Sequence, residues 1–367
     1  MPKPARLSDL PHGAAAPMDL DEVVNSIVRK KLATGNINLF TPIPTGFTIL
    51  DTNMGGGLHG GDLTLLGGVQ NIGKTAAVLE IASNAALSKA IAIMVCFEHS
   101  TQTMWERLLI QQSYEGRDVK HTTSDDIRKG YIGVIDHRNK HEDEKNDYIN
   151  QLISKLPNGK RAWARLAGIQ NNIWLVTGDS LWTTIDVLEY YVKMASEFSE
   201  RILLIVDYVQ RVPVIDATRH LTSEEKTERV VQGLKSLALR KSDEGIVVPV
   251  LGVATADAEG LRGGRIHVEN LSGSSNTQYE PDQAIIMNKD IDFDEDGNKI
   301  VRFGLEKNRR GPSDIEIRHK YIGSAYTFDK KGTLVSEDES WQKERKLLKE
   351  EIAALYRGPV PGGAKST

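Results

Sequence analysis

Two rhythms of apolar positions alternate along the chain. Compact aliphatic runs at Leu63–Leu66, Ile91–Phe97, Ile173–Val176, Ile202–Val206, Val247–Val253 and Gln283–Met287 predict buried strands, and Val301–Leu305 and Ile315–Arg318 predict later ones. Between them apolar residues recur at helical spacing. Helices are expected over Lys74–Leu87, over Thr101–Gln112 behind a Ser100 cap, over Thr184–Phe198 and from Thr222 or Ser223 to about Lys241. In the third of these, Ile185, Leu188, Val192 and Ala195 share one face. Strands alternating with helices indicate an α/β fold: a mostly parallel sheet with helices on both faces.

The pattern also divides the chain. Residues 1–18 are rich in Pro and Ala and read as a disordered tail. Over 19–44 a linker helix, Asp19–Leu32, carries Val23, Val24, Ile27, Val28 and Leu32 on one face, and Pro42 and Pro44 keep the following linker extended. That apolar face needs cover, from its own domain or from a neighbouring subunit. A core domain is expected over 45–335, interrupted at 115–168 by a polar, partly helical insertion that reads as a surface for a protein partner. Residues 336–367 are expected to form a C-terminal helix, Trp341–Tyr356, and a flexible tail.

Composition narrows the picture. The 367 residues are 40% hydrophobic and 26% charged, ordinary for a globular protein. A net charge of -4 means that any nucleic-acid contact must come from a local basic patch. With Cys96 the single cysteine, neither an internal disulfide nor a cysteine zinc site is expected. The N-terminus lacks a secretory apolar region, and the aliphatic runs are too short to span a bilayer. We expect no membrane association and a cytoplasmic location.

One segment carries specific chemistry. Gly68-Val69-Gln70-Asn71-Ile72-Gly73-Lys74-Thr75 fits the phosphate-loop pattern, follows a predicted strand and opens a predicted helix. Its glycines let backbone N–H groups turn inward as an anion cradle at the helix start, where Gly68, Asn71, Gly73 and Ala76 join Lys74 and Thr75 in the expected ATP site. Lys74 would face the β- and γ-phosphates, and the Thr75 hydroxyl would ligate Mg²⁺. Leu203–Asp207, a buried strand ending in an acid, supplies the second magnesium-side group, Asp207. Glu98 follows the strand after the loop's helix, where a carboxylate faces the ligand crevice of a parallel sheet and can orient an attacking water. A bland reading of Glu98 is a helix-preceding acid near Ser100. Glu306–Pro312 is a basic turn after a strand, placed to insert an arginine into a neighbour's site or, more plainly, a surface hairpin. Asp292–Gly297 imitates the start of a calcium loop, but its twelfth position is Phe303, so an Asp-Gly hairpin turn is expected instead.

As a set, these segments resemble the C-terminal RecA-type ATPase domain of the DnaB replicative helicases. Pro44–Asp51 with Gly55–Leu58 resembles that domain's opening, and Phe97–Ser100 with Glu106–Leu109 its segment after the phosphate-loop helix. Ile205–Gln210 resembles its Walker B strand, and Lys307-x-Arg309-x-Gly311-Pro312 its trans-acting lysine and arginine finger. The resemblance implies a RecA-like P-loop NTPase using ATP and Mg²⁺ and assembled as a homo-oligomer, a hexameric ring. Lys74, Thr75, Glu98 and Asp207 would come from one subunit and Lys307 and Arg309 from the next. It implies that the 19–32 helix packs on the adjacent subunit, and that channel loops hold single-stranded DNA.

The chain also departs from the family. About forty residues precede the core, so the family's N-terminal helical domain is not expected here. Thr255 stands where the family has Gln, and Leu271–Thr277 where it has an Arg-Glu-Ser-Gly run. Insertion 115–168 is longer than the family's connection. Arg262 and Arg265, with the hydroxyls of Ser272, Ser274 and Ser275, are the remaining candidates for DNA phosphates. Two functions follow as expectations: an ATP-driven helicase or translocase on single-stranded DNA, or a DnaB-like ATPase that switches an oligomeric platform without unwinding. Nothing in the sequence suggests the acceptor pocket of a small-molecule phosphotransferase.

Overall fold

The protein is described here from a computed structural model, over residues 17–140, 147–215, 221–243, 246–256, 265–271 and 279–335. The predicted C-terminal helix lies outside these residues. The first helical stretch runs as α1 (Leu20–Val23), a π-helical turn over Val24–Val28 and α2 (Arg29–Ala33). Of its expected apolar face, Val24, Val28 and Leu32 are between 42% and 63% accessible, while Val23 and Ile27 are half-buried.

After α3 (Thr48–Asn53) the chain enters the sheet through β1 (Leu63–Gly68), α4 (Lys74–Leu87), β2 (Ile91–Cys96) and α5 (Thr101–Ser113). Three helices then fill the insertion: α6 (Ser124–Lys140), α7 (Tyr148–Lys155) and α8 (Gly159–Ala167). The core resumes with β3 (Ile173–Thr177), α9 (Ile185–Ser196), β4 (Ile202–Asp207), α10 (Ser223–Asp243) and β5 (Val250–Thr255). The chain continues with β6 (Gln283–Phe293), β7 (Lys299–Asn308), β8 (Ile315–Ile322), β9 (Thr327–Phe328) and β10 (Thr333–Leu334). The strands form one sheet in the order β10-β8-β7-β6-β1-β5-β4-β2-β3, with β9 beside β8. From β6 to β3 the pairing is parallel, whereas β6 to β10 are antiparallel. The Asp-Gly turn joins β6 to β7 as a hairpin, with Asp294 accepting from Asn298 N–H at its mouth.

Side-chain alternation along the parallel strands creates two cores. On β4, Leu203 and Ile205 join α4 and α5, while Ile202, Leu204 and Val206 join α9 and α10. The predicted strand Val247–Val253 is shifted: Val247 makes only an isolated bridge to Arg201, and β5 begins after Pro249. Proline has no N–H for the ladder, so continuous pairing starts beyond it.

Parallel strands β1, β2 and β4 all end at the same edge of the sheet. Their following loops therefore share one crevice, and β5 separates the phosphate-loop strand from the Walker B strand.

Candidate active site

The phosphate loop leaves β1 at Gly68 and returns as α4. Gly73 and Asn71 both have positive φ, at 102° and 59°. A Cβ on Gly73 would meet Phe328 Cζ at 2.8 Å, so only glycine fits both the backbone and the space. The Lys74 ammonium donates to the carbonyls of Gly68 and Val69, each at 2.8 Å, and lies 5.5 Å over the Tyr208 ring. Burial pulls its pKa down to about 8, with Asp207 and Glu98 acting in the opposite direction.

Across the crevice, Asp207 is fully buried at the end of β4. The Thr75 hydroxyl donates to its Oδ2 at 2.8 Å. Burial pushes the Asp207 pKa up to about 6; the Thr75 hydrogen bond lowers it, nearby Glu98 raises it, and Lys74 lowers it. Its Oδ1 is buried and has no hydrogen-bond partner among the described residues. A buried carboxylate oxygen without a donor, paired to a hydroxyl at a helix start, is a donor set suited to a hard divalent cation. The Gly73 turn, the inward loop and Lys74 suit a polyphosphate. The residues present therefore fit a nucleotide with Mg²⁺.

Glu98 lies two residues beyond β2. Tyr208 Oη donates to its Oε2 at 2.7 Å, and His99 Nε2 is 3.8 Å away. Burial and the Glu98 carboxylate push the Tyr208 phenol well above its ordinary range, so it stays a donor. Together with the loop these groups line a cleft of about 350 Å³. Arg107, Tyr321 and Tyr326 also line it, with Arg107 stacked 4.9 Å over Tyr326. Sequence reasoning did not single out these three. Tyr321 and Tyr326 reach the cleft from β8 and the turn after it, far along the chain, and no local pattern marks them.

Lys307 and Arg309 are not brought to this cleft. Lys307 Nζ donates to Tyr279 O at 2.8 Å, and Arg309 pairs with Asp282 at 3.0 Å and donates to Tyr279 O at 3.2 Å. Asn308 is level with Gln283, which is level with Thr64 near the start of β1. Thr64 to Gly68 is roughly 13 Å of strand at about 3.3 Å per residue. The basic turn thus occupies the opposite edge of the sheet from the phosphate loop. Thr255 is level with Gly68 at the end of β5, and its carbonyl accepts from Gln210 at 3.3 Å. Of the DNA candidates, Arg265 is described and forms an ion pair with Glu316. Arg262, Ser272, Ser274 and Ser275 lie outside the described residues.

The sheet order, the phosphate loop and the acid at the end of β4 define a RecA-like P-loop NTPase domain. The family model of the DnaB-like helicase C terminal domain matches residues 42–330, and the chain belongs to that family. Two solved structures share the fold. One is the structure of an ATPase domain, 19% identical with a TM-score of 0.59, covering 84% of this chain and 98% of that one. A DnaB-like replicative helicase, from a structure of that helicase and its interactions with primase, is 19% identical with a TM-score of 0.58, covering 85% of this chain and 67% of that one. No curated protein sequence matches this chain.

Proposed function

We propose that this chain is an ATP-hydrolysing DnaB-like helicase or translocase that acts on single-stranded DNA as an oligomeric ring. One observation carries the reading. Lys74, Thr75, Glu98 and Asp207 converge at one edge of the sheet, while Lys307 and Arg309 face away at the other. The second pair can complete a site only in another subunit.

In this reading Gly68–Ala76 holds the ATP phosphates, and Thr75 with Asp207 holds Mg²⁺. The bound cation supplies positive charge against the phosphate oxygens. Glu98, held by Tyr208, orients water and accepts its proton. Lys307 and Arg309 of the adjacent subunit place positive charge where negative charge builds up in the transition state. The partly exposed apolar face of Leu20–Ala33 suits packing on that neighbour, and α6–α8 offer a surface for a protein partner.

A second reading is a DnaB-like ATPase that switches an assembly without unwinding. Thr255 favours it, because a short side chain stands beside Gly68 where the resembled family has Gln. Turnover measured with and without single-stranded DNA, on protein of known mass in solution, separates the two. We expect an oligomer whose turnover rises with DNA. An oligomer indifferent to DNA would establish the switching platform, and a monomer with full turnover would refute both.

A further inference from the structure

Between β5 and β6 the described segment Arg265–Leu271 packs against β1 at Gly67 and is held by Glu306 of β7. At its end, Leu271 lies against the base of the phosphate loop: a Cβ on Gly67 would meet Leu271 Cδ2 at 2.3 Å. Leu271 also bridges to Ala256, just past β5. In its middle, buried Ile266 exchanges two backbone hydrogen bonds of 2.8 Å with the Asn288 side chain on β6. Val268–Asn270 then forms a single helical turn.

Glu306 of β7 grips that turn. Its carboxylate accepts from Val268 N–H at 2.7 Å and bonds His267 Nδ1 at 2.9 Å. The strand register explains its aim. Leu305 is opposite Ile285 and Lys307 is opposite Ala284, so Glu306 is the extra residue of a β-bulge. A bulge redirects a side chain out of the alternating pattern. Glu306 is also bonded to Lys307 in sequence, at the start of the turn that carries Arg309.

We propose that Glu306 is a positioning residue. It transmits the state of a subunit's own phosphate loop, through Leu271 and the Val268–Asn270 turn, to the Lys307–Arg309 turn that serves the neighbouring site. The inference rests on the trans-acting reading of that turn. Its physical basis is a short run of close contacts. Leu271 has no slack against Gly67, because packed interiors pass displacements on rather than absorb them. Asn288 anchors the segment, so motion at Leu271 tilts the turn. The two charge-assisted bonds to Glu306 carry that tilt to β7. A carboxylate that only capped the turn would affect its stability and nothing at the neighbour.

The test follows turnover against ATP concentration, and against the fraction of Lys74→Ala subunits in mixed assemblies. In the unsubstituted protein we expect a sigmoidal response, and a loss on mixing steeper than the fraction added. Glu306→Ala is expected to make the ATP response hyperbolic and the mixing loss proportional. Glu306→Gln keeps an acceptor for Val268 N–H and should preserve the steepness. If Glu306→Ala does not fold, His267→Ala removes one of the two bonds and should weaken the steepness in the same direction. Unchanged steepness in a folded Glu306→Ala or His267→Ala protein overturns the inference, as does a proportional response in the unsubstituted protein. Arg309→Ala, run in parallel, isolates the underlying reading. Full turnover there removes the trans-acting finger, whereas lost turnover there with unchanged steepness in Glu306→Ala removes only the coupling.

Discussion

Neighbouring arginines at the sheet edge have different partners, and their substitutions should separate accordingly. Arg310 grips both oxygens of Asp62 at 2.9 Å, and that carboxylate is 5% accessible. Removing the guanidinium leaves a buried acid without its partner, which costs about 1–3 kcal/mol. Arg310→Ala should therefore lower the denaturant midpoint of unfolding. Arg309 is more than half exposed, and its buried partner Asp282 keeps Lys235 at 2.7 Å and Leu63 N–H at 2.8 Å without it. Arg309→Ala should leave unfolding nearly unchanged yet reduce turnover by roughly 10³-fold, with nucleotide binding retained. Steady-state phosphate release and a nucleotide titration check this pair.

Lys74 and Asp207 also predict opposite pH limbs. The Lys74 pKa is lowered to about 8, so its charge is complete below that value and disappears as pH rises through it. Affinity of the free protein for ATP should fall between pH 7 and 9, approximately. Asp207 is raised to about 6, so it gains charge only as pH rises through that value. Between its unfolded value near 3.9 and about 6 the folded state binds the extra proton. Its contribution to apo stability is therefore present at low pH and declines as pH rises across that window. Unfolding of the Asp207→Asn protein, compared over the same range, should lack this decline.

At the scale of elements, the phosphate loop works because the turn before α4 is left-handed at Gly73. Alanine there must adopt φ of 102° and push against Phe328 and Tyr321. Strain of this kind costs about 1–3 kcal/mol. Gly73→Ala should lower the melting temperature and abolish ATP binding, read by thermal unfolding and by calorimetry. The elements also show which features the sequence carried. Lys74–Leu87 was legible to the residue, because loop, helix start and apolar face are contiguous. Asp207 was legible for the same reason, as the acid that closes an aliphatic run. The start of β5 was misplaced because Pro249 interrupts pairing inside an otherwise uniform run. The continuous helix expected over Asp19–Leu32 contains a π-helical turn at Val24–Val28, which apolar spacing alone does not mark. Tyr321 and Tyr326 were not read as part of the cleft because tertiary placement brings them there, from β8 and its following turn; Glu306 was read only as the start of the basic turn, and its aim comes from a bulge that the sequence does not mark.

For the whole molecule, the two ends of the sheet define the account. The phosphate-loop cleft lies at one edge and Lys307–Arg309 at the other, so in the proposed ring a subunit alone carries half of two sites. Members of a ring related by rotation would bring one edge to the next, a head-to-tail interface that closes on itself. Subunit mixing tests this most directly. Glu98→Gln subunits keep the phosphate loop and the basic turn but lack the water-orienting carboxylate, and Arg309→Ala subunits keep the loop and Glu98 but lack the finger. Each alone should be nearly inactive. Mixed and allowed to exchange, they should regain turnover, because some interfaces then join an intact Glu98 to an intact Arg309. Mixed assemblies that form yet stay inactive, or Arg309→Ala protein that turns over ATP as fast as the unsubstituted chain, would contradict a site completed by the neighbour.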